Sequence, residues 1–155
     1  GHTVQLDSTP GNRAVLKVVQ VGSDFVYWSM LHVTPSTVIR FLGVPPEVLE
    51  KAKLEDRQWA MRVLFSVLPL STRVAGIEND SSIRIDAWPL ERIAAPTLIF
   101  SCSDDLFHTR PAAEYAAAHI PSAKLVIYAT GGHLFIGHSA DLRFAVAAFL
   151  DQSRP

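Results

Sequence analysis

The stretch ERIAAPTLIFSCSDD, Glu91 to Asp105, decides how the chain is read. Its apolar run from Thr97 to Phe100 begins after Pro96 and ends in small polar residues, the pattern of a fully buried parallel strand. The alanine-rich TRPAAEYAAAHIP that follows predicts a helix, with Pro111 in its first turn and Pro121 past its end. AKLVIYATGG then predicts a second short strand. SADLRFAVAAFLDQ closes the pattern as a helix in which Leu142, Val146, Phe149 and Leu150 recur at helical spacing. Strand, helix, strand, helix in this order makes a right-handed crossover and a parallel pair.

The chain ahead of this unit has another character. From Asp24 to about Asn79 the periodicity is helical and broken by turn residues. SDFVYWSMLHVT opens on a Ser23/Asp24 cap signal, and PSTVIRFLG starts at Pro35 and stops at Gly43. The prolines of PPEVLEKAK are placed to begin a helix. LEDRQWAMRVLFSVLP puts Trp59, Val63, Leu64 and Val67 on one face. About four short amphipathic helices with no strand between them form a block that covers something else. The aromatic stretch Phe25, Tyr27, Trp28, with Trp59, Met61 and Phe65, reads as core. The chain divides into a lead-in over 1–22, a helical block over 23–86 and an α/β part over 87–155, with the change falling between Asn79 and Asp86. The opening Gly1-His2 reads as a leftover of a purification tag.

Composition narrows the function classes. The 155 residues are 48% apolar and carry a formal net charge of −1, which suits one globular domain with a real core. Lys and Arg are scattered, so there is no electrostatic footprint for nucleic acid or for an anionic membrane surface. No apolar run approaches the ~20 residues that span a bilayer. The single cysteine, Cys102, makes neither an internal disulfide nor a multi-cysteine zinc site, which fits a reducing, cytoplasmic setting.

In parallel α/β sheets the functional side chains sit on loops at the carboxyl ends of strands. Two such loops exist, SCSDDLFHT after the first strand and TGGHLFIGH after the second. Neighbouring strands lie about 4.8 Å apart, so Asp104 or Asp105 can meet His133 across one sheet edge. A carboxylate bonded to one imidazole nitrogen fixes the tautomer and leaves the other nitrogen as a general base. Glycines beside the histidine permit a tight turn and keep the ring uncrowded. Taken singly, each aspartate reads as a turn cap and His133 as a packed turn residue; their joint placement favours a working pair. His108 and His138 flank the same loops and read as exposed loop residues. Cys102 sits at a buried strand end with no sign of a lowered pKa, which disfavours it as a nucleophile.

From Pro89 to Gln152 the sequence resembles the last two strands and helices of the α/β-hydrolase fold family, in which a PTL strand leads to the acidic triad member and a GGH loop supplies the catalytic histidine. The resemblance implies Asp105 as the acid, with Asp104 as the alternative, and His133 as the base. Two positions depart from the pattern. Thr109 stands where the family places a proline four residues after the acid, and Cys102 stands where it places a glycine three residues before it. The helical block resembles the cap inserted ahead of these strands. A cap over an ester site needs an apolar underside, so Trp28, with Phe107 and Leu134 from the two loops, are candidate substrate-binding residues.

The family's nucleophile sits in a G-x-S-x-G elbow, and Ser23 in VGSDF, Ser71 in PLSTR and Ser101 in IFSCS all lack the paired glycines. The chain therefore reads as the cap and carboxyl-terminal portion of an α/β-hydrolase-like enzyme, inactive alone. Its expected substrate is small and apolar, with an ester or related acyl or carbon–carbon bond. No metal and no organic cofactor is implied. An unpaired strand edge calls for a companion segment, either the enzyme's amino-terminal part or a second copy. The alternative is a non-catalytic small-molecule-binding or interaction module on the same frame, which a replaced serine upstream would indicate.

Overall fold

The computed structural model describes residues 23–82 and 89–152, together with Lys17 and Val21. The lead-in over 1–22 thus lies almost wholly outside the described residues, as do 83–88. Among residues 23–82 five helices are described, one more than the four expected, the addition being α5: α1 (Asp24–Val33), α2 (Pro35–Phe41), α3 (Pro46–Lys51), α4 (Leu54–Ser66) and α5 (Val74–Ser82). Then follow β1 (Thr97–Cys102), α6 (Arg110–His119), β2 (Ala123–Tyr128) and α7 (Ser139–Gln152). The molecule is mixed α/β, with helices and a two-stranded parallel sheet.

Local chemistry sets the helix ends. The Ser23 hydroxyl accepts the Val26 N–H at 3.3 Å and caps α1. Pro35 and Pro46 occupy the first positions of α2 and α3, where no N–H is needed. Arg73 closes α4 from outside, its Nε and Nη2 donating to the carbonyls of Val67 and Ser66 at 2.9 and 3.0 Å. Asp24 does more than start α1. Its carboxylate accepts the Ser71 backbone N–H at 2.9 Å and the Ser71 hydroxyl at 2.8 Å. These bonds, the backbone one foremost, hold its carboxyl below the usual carboxylate range.

The buried core belongs to the helical block. Tyr27, Leu31, Val38, Ile39, Val44, Ala60, Leu64 and Leu70 cluster there, and Ile136, from the loop after β2, completes the cluster. The block thus has an interior of its own, closed by one residue from the α/β part. Tyr27 spans it, its hydroxyl donating to the Leu64 carbonyl at 3.2 Å, and burial pushes the phenol up to about 12. Of the large apolar residues expected inside, only Tyr27 is fully buried, while Trp59, Met61 and Phe65 pack half-buried against the cluster. Phe25 and Trp28 instead face outward, 75% and 46% exposed. One side of α1 suffices to fill the small interior, so its other side is left in solvent.

In the sheet, β1 and β2 pair in register from Thr97 opposite Ala123 to Cys102 opposite Tyr128. Helix α6 packs on both strands. The expectation of a fully buried strand over Thr97 to Phe100 is not met: these residues are half-buried, and burial is complete only at Ser101 and Cys102. Two strands cannot flank each other on both edges, so a central-strand environment is out of reach with this sheet. The closing helix α7 follows the same rule. Leu142 and Phe149 are half-buried, whereas Val146 and Leu150 are exposed. A bond from Lys124 Nζ to Gln152 Oε1 at 2.8 Å ties its end to β2.

Candidate active site

The loops that leave β1 and β2 lie side by side because their strands are parallel and adjacent. The first loop presents two consecutive carboxylates, and the fold separates their work. Asp104 turns to the second loop, its Oδ1 accepting the Gly132 N–H at 2.8 Å and its Oδ2 the Gly131 N–H at 3.1 Å. Asp105 turns inward. Its Oδ1 accepts the Phe107 N–H at 2.8 Å, and its Oδ2 meets both the Thr109 hydroxyl and, at 3.0 Å, His133 Nδ1.

Exposure differs sharply across that last contact. The Asp105 side chain is 3% exposed and the His133 side chain 44%. The acid is fixed by three donors inside the protein, while the imidazole reaches solvent. No other hydrogen bond joins the His133 ring to a described residue. An ionised carboxylate only accepts, so in a neutral imidazole the contact puts the ring proton on Nδ1 and the lone pair on Nε2. Phe107 lies against the imidazole with ring centroids 4.6 Å apart.

Backbone conformation in both loops is unusual. His108 and Phe135, with φ of 52° and 53°, are the non-glycine residues in the left-handed region among those described, and one lies in each loop. Such residues cost of order 1–3 kcal/mol and persist where the surroundings over-determine them. Phe135 is held by edge-on packing against Phe100 and Tyr128, at 6.4 and 6.3 Å. Gly132 has φ +59°, and a Cβ there would stand 2.7 Å from Val44 Cα. Only glycine lets the histidine loop come this close to the helical block.

The other candidates have definite places. Leu134 is half-buried and packs against the core cluster. Trp28 stands apart from these loops: its ring tilts against His32 at 4.2 Å, and it lines a shallow apolar hollow with Asp24, Phe25, Leu68 and Pro69. His108 is exposed as expected, but His138 is not a free loop residue. Its Nε2 lies 3.0 Å from the Thr130 carbonyl, and its ring stacks on Tyr128 at 4.0 Å. Cys102 is 1% exposed. Burial first, then the neighbouring Asp104 and Asp105, push its thiol up to about 12, the opposite of an activated nucleophile.

Two participants were not legible beforehand. Thr109 appeared only as a departure from a proline, yet its hydroxyl donates to the acid. Gly43 appeared only as a helix stop. Its carbonyl accepts N–H bonds from Leu106 and His133 at 3.0 and 3.1 Å, which joins the helical block to both loops. Among the described residues no three His, Cys, Asp or Glu side chains gather as a metal site would require, and no helix is long and apolar enough to cross a membrane. The chain matches no protein-family model, no curated protein and no solved structure.

Proposed function

We propose that Asp105 and His133 are the acid and the base of a Ser-His-Asp triad, in an α/β-hydrolase-like enzyme acting on an ester or related acyl or carbon–carbon bond of a small apolar substrate. The observation that carries the reading is the 3.0 Å contact between a buried carboxylate and Nδ1 of a half-exposed histidine, on loops at the ends of adjacent parallel strands. The contact engages Nδ1 and leaves Nε2 without a hydrogen bond to a described residue, which is the arrangement a proton-accepting imidazole needs.

In this reading a serine outside the 155 residues attacks the substrate carbonyl while Nε2 of His133 takes its proton. Asp105 holds the ring in place and stabilises the imidazolium. His133 then delivers the proton to the leaving group, and water repeats the cycle on the acyl-serine. Phe107 walls the imidazole on one side and favours an apolar substrate there. The segment that carries the serine pairs with a free edge of the two-stranded sheet, which has no other strand beside it among the described residues.

The test compares p-nitrophenyl ester hydrolysis by the 155-residue chain alone with that of the assembly in which a serine-bearing companion pairs with it. The chain alone should show no burst. The assembly should show one, with kcat reduced roughly 10³- to 10⁴-fold or more by His133→Ala. A burst from the chain alone, abolished by His133→Ala, would overturn the missing nucleophile. An assembly indifferent to His133→Ala would overturn the triad.

A further inference from the structure

The turn between α2 and α3 enters the site from the helical block. The Gly43 carbonyl at its tip accepts from two amides of different loops, Leu106 at 3.0 Å and His133 at 3.1 Å. Leu106 directly follows the acid, and His133 is the base itself. A carbonyl has two lone pairs, so one oxygen atom is fully used in tying the acid's backbone to the histidine's.

The Gly43 Cα is as constrained as its oxygen. A Cβ there would lie 2.7 Å from His133 Cβ, 3.1 Å from Phe107 Cδ2 and 3.2 Å from Asp105 Oδ1. Its φ of +79° is left-handed. The turn cannot simply retreat, because the next residue, Val44, is completely buried in the helical core and lies under Gly132. Ordinary contact begins at 3.4 Å, so relieving the approach to His133 takes a shift of about 0.7 Å. The Nδ1–Oδ2 bond starts at 3.0 Å and is lost beyond about 3.5 Å. A shift of that size along the bond would exceed the about 0.5 Å by which it can lengthen.

We infer that Gly43 is a positioning residue for the Asp105–His133 pair: its doubly bonded carbonyl and its bare Cα together set the approach of the imidazole to the carboxylate. The inference deepens the triad reading and rests on it for its functional meaning. The helical block thereby controls the site through one turn. Displacing that turn releases the histidine from its acid without touching either side chain.

The test is nitrogen-15 NMR of the His133 imidazole in the full 155-residue chain, with the signal assigned by its absence in His133→Ala. The wild-type ring should be held as the Nδ1–H tautomer. Gly43→Ala should lose that signature and show the averaged tautomers of a free imidazole. Gly43→Asn should do the same, although asparagine tolerates positive φ, which separates the Cβ contact from backbone strain. Gly76→Ala, at a helix position with nothing among the described residues within 4 Å of a new Cβ, should leave the ring unchanged. Circular dichroism and the thermal midpoint establish that the variants are folded. Gly43 variants that are folded and retain the wild-type imidazole signals would overturn the inference.

Should neither Gly43 variant fold, hydrogen exchange of the wild-type chain decides. The Leu106 and His133 amides should each be protected at least tenfold relative to their own unstructured rates, and by the same factor. Exchange of either at the unstructured rate would overturn the inference. Absence of ester turnover would count against the triad alone, because the imidazole readout requires no activity.

Discussion

Oδ1 of Asp104 accepts the backbone N–H of Gly132 at 2.8 Å, one residue before the histidine that the adjacent Asp105 engages. Two consecutive carboxylates thus serve one loop in different ways, the first holding its backbone and the second its side chain.

The division predicts opposite consequences for the same substitution. Asp104→Asn sets an amide NH₂ against one of two backbone N–H donors, with nothing able to rotate out of conflict. It should cost about 1–3 kcal/mol of stability. Asp105→Asn can keep the Phe107 bond while the Thr109 hydroxyl turns to accept and His133 changes tautomer. Its stability cost should be the smaller; if the proposed triad holds, pairing the variant with a serine-bearing companion should give a kcat about 10⁴-fold lower through the wrong tautomer. Urea unfolding and steady-state kinetics of the two variants check both halves.

Cys102 should resist alkylation by iodoacetamide at pH 8 and react only as the chain unfolds. The folded thiol is pushed up to about 12 from its usual 9.0, so it keeps its proton while the unfolded chain loses one above about pH 9. Stability should therefore fall as pH rises from about 9 toward 12. Rapid alkylation of the folded protein would contradict the buried placement.

Leu64→Ala should be among the most damaging single changes to the helical block. The side chain is fully buried at the centre of the core, and its removal should cost about 2–5 kcal/mol. Tyr27→Phe keeps the ring and forfeits one hydrogen bond to the Leu64 carbonyl, for about 1 kcal/mol. Denaturant midpoints of the two variants should keep this order.

Gly76→Ala should stabilise the chain by about 0.5–1 kcal/mol, since alanine is the better helix former. Among the described residues nothing lies within 4 Å of a Cβ at this position in α5, and the position calls for no positive φ. A lower thermal midpoint would mean that α5 is packed more closely than the structure describes.

Much of this architecture was legible because it is written in local chemistry. Proline at the helix starts, the Ser23 cap, the apolar runs of β1 and β2 and the glycines around His133 each act within a few residues of themselves. Asp105 and His133 could be paired beforehand because strand direction sends both loops to one edge. The division of labour between Asp104 and Asp105 could not. Neighbours in sequence have the same composition around them, and only the turn decides which way each carboxylate points.

By itself, then, the sequence determined the order of α1 to α4 and of the strand–helix–strand–helix unit, though not α5, together with the parallel pairing and the two loops that carry the candidate acid and base. Periodicity and turn chemistry are short-range properties, which a single chain displays in full. Tertiary structure alone decided that the core lies in the helical block with Ile136 as its closing residue, that Trp28 faces outward, and that Thr109 and Gly43 hold the pair. Those outcomes depend on close approach between segments distant in the chain. Gly43 acts through a backbone carbonyl, which every residue has, and through a bare Cα whose close neighbours His133, Phe107 and Asp105 are supplied only by the fold.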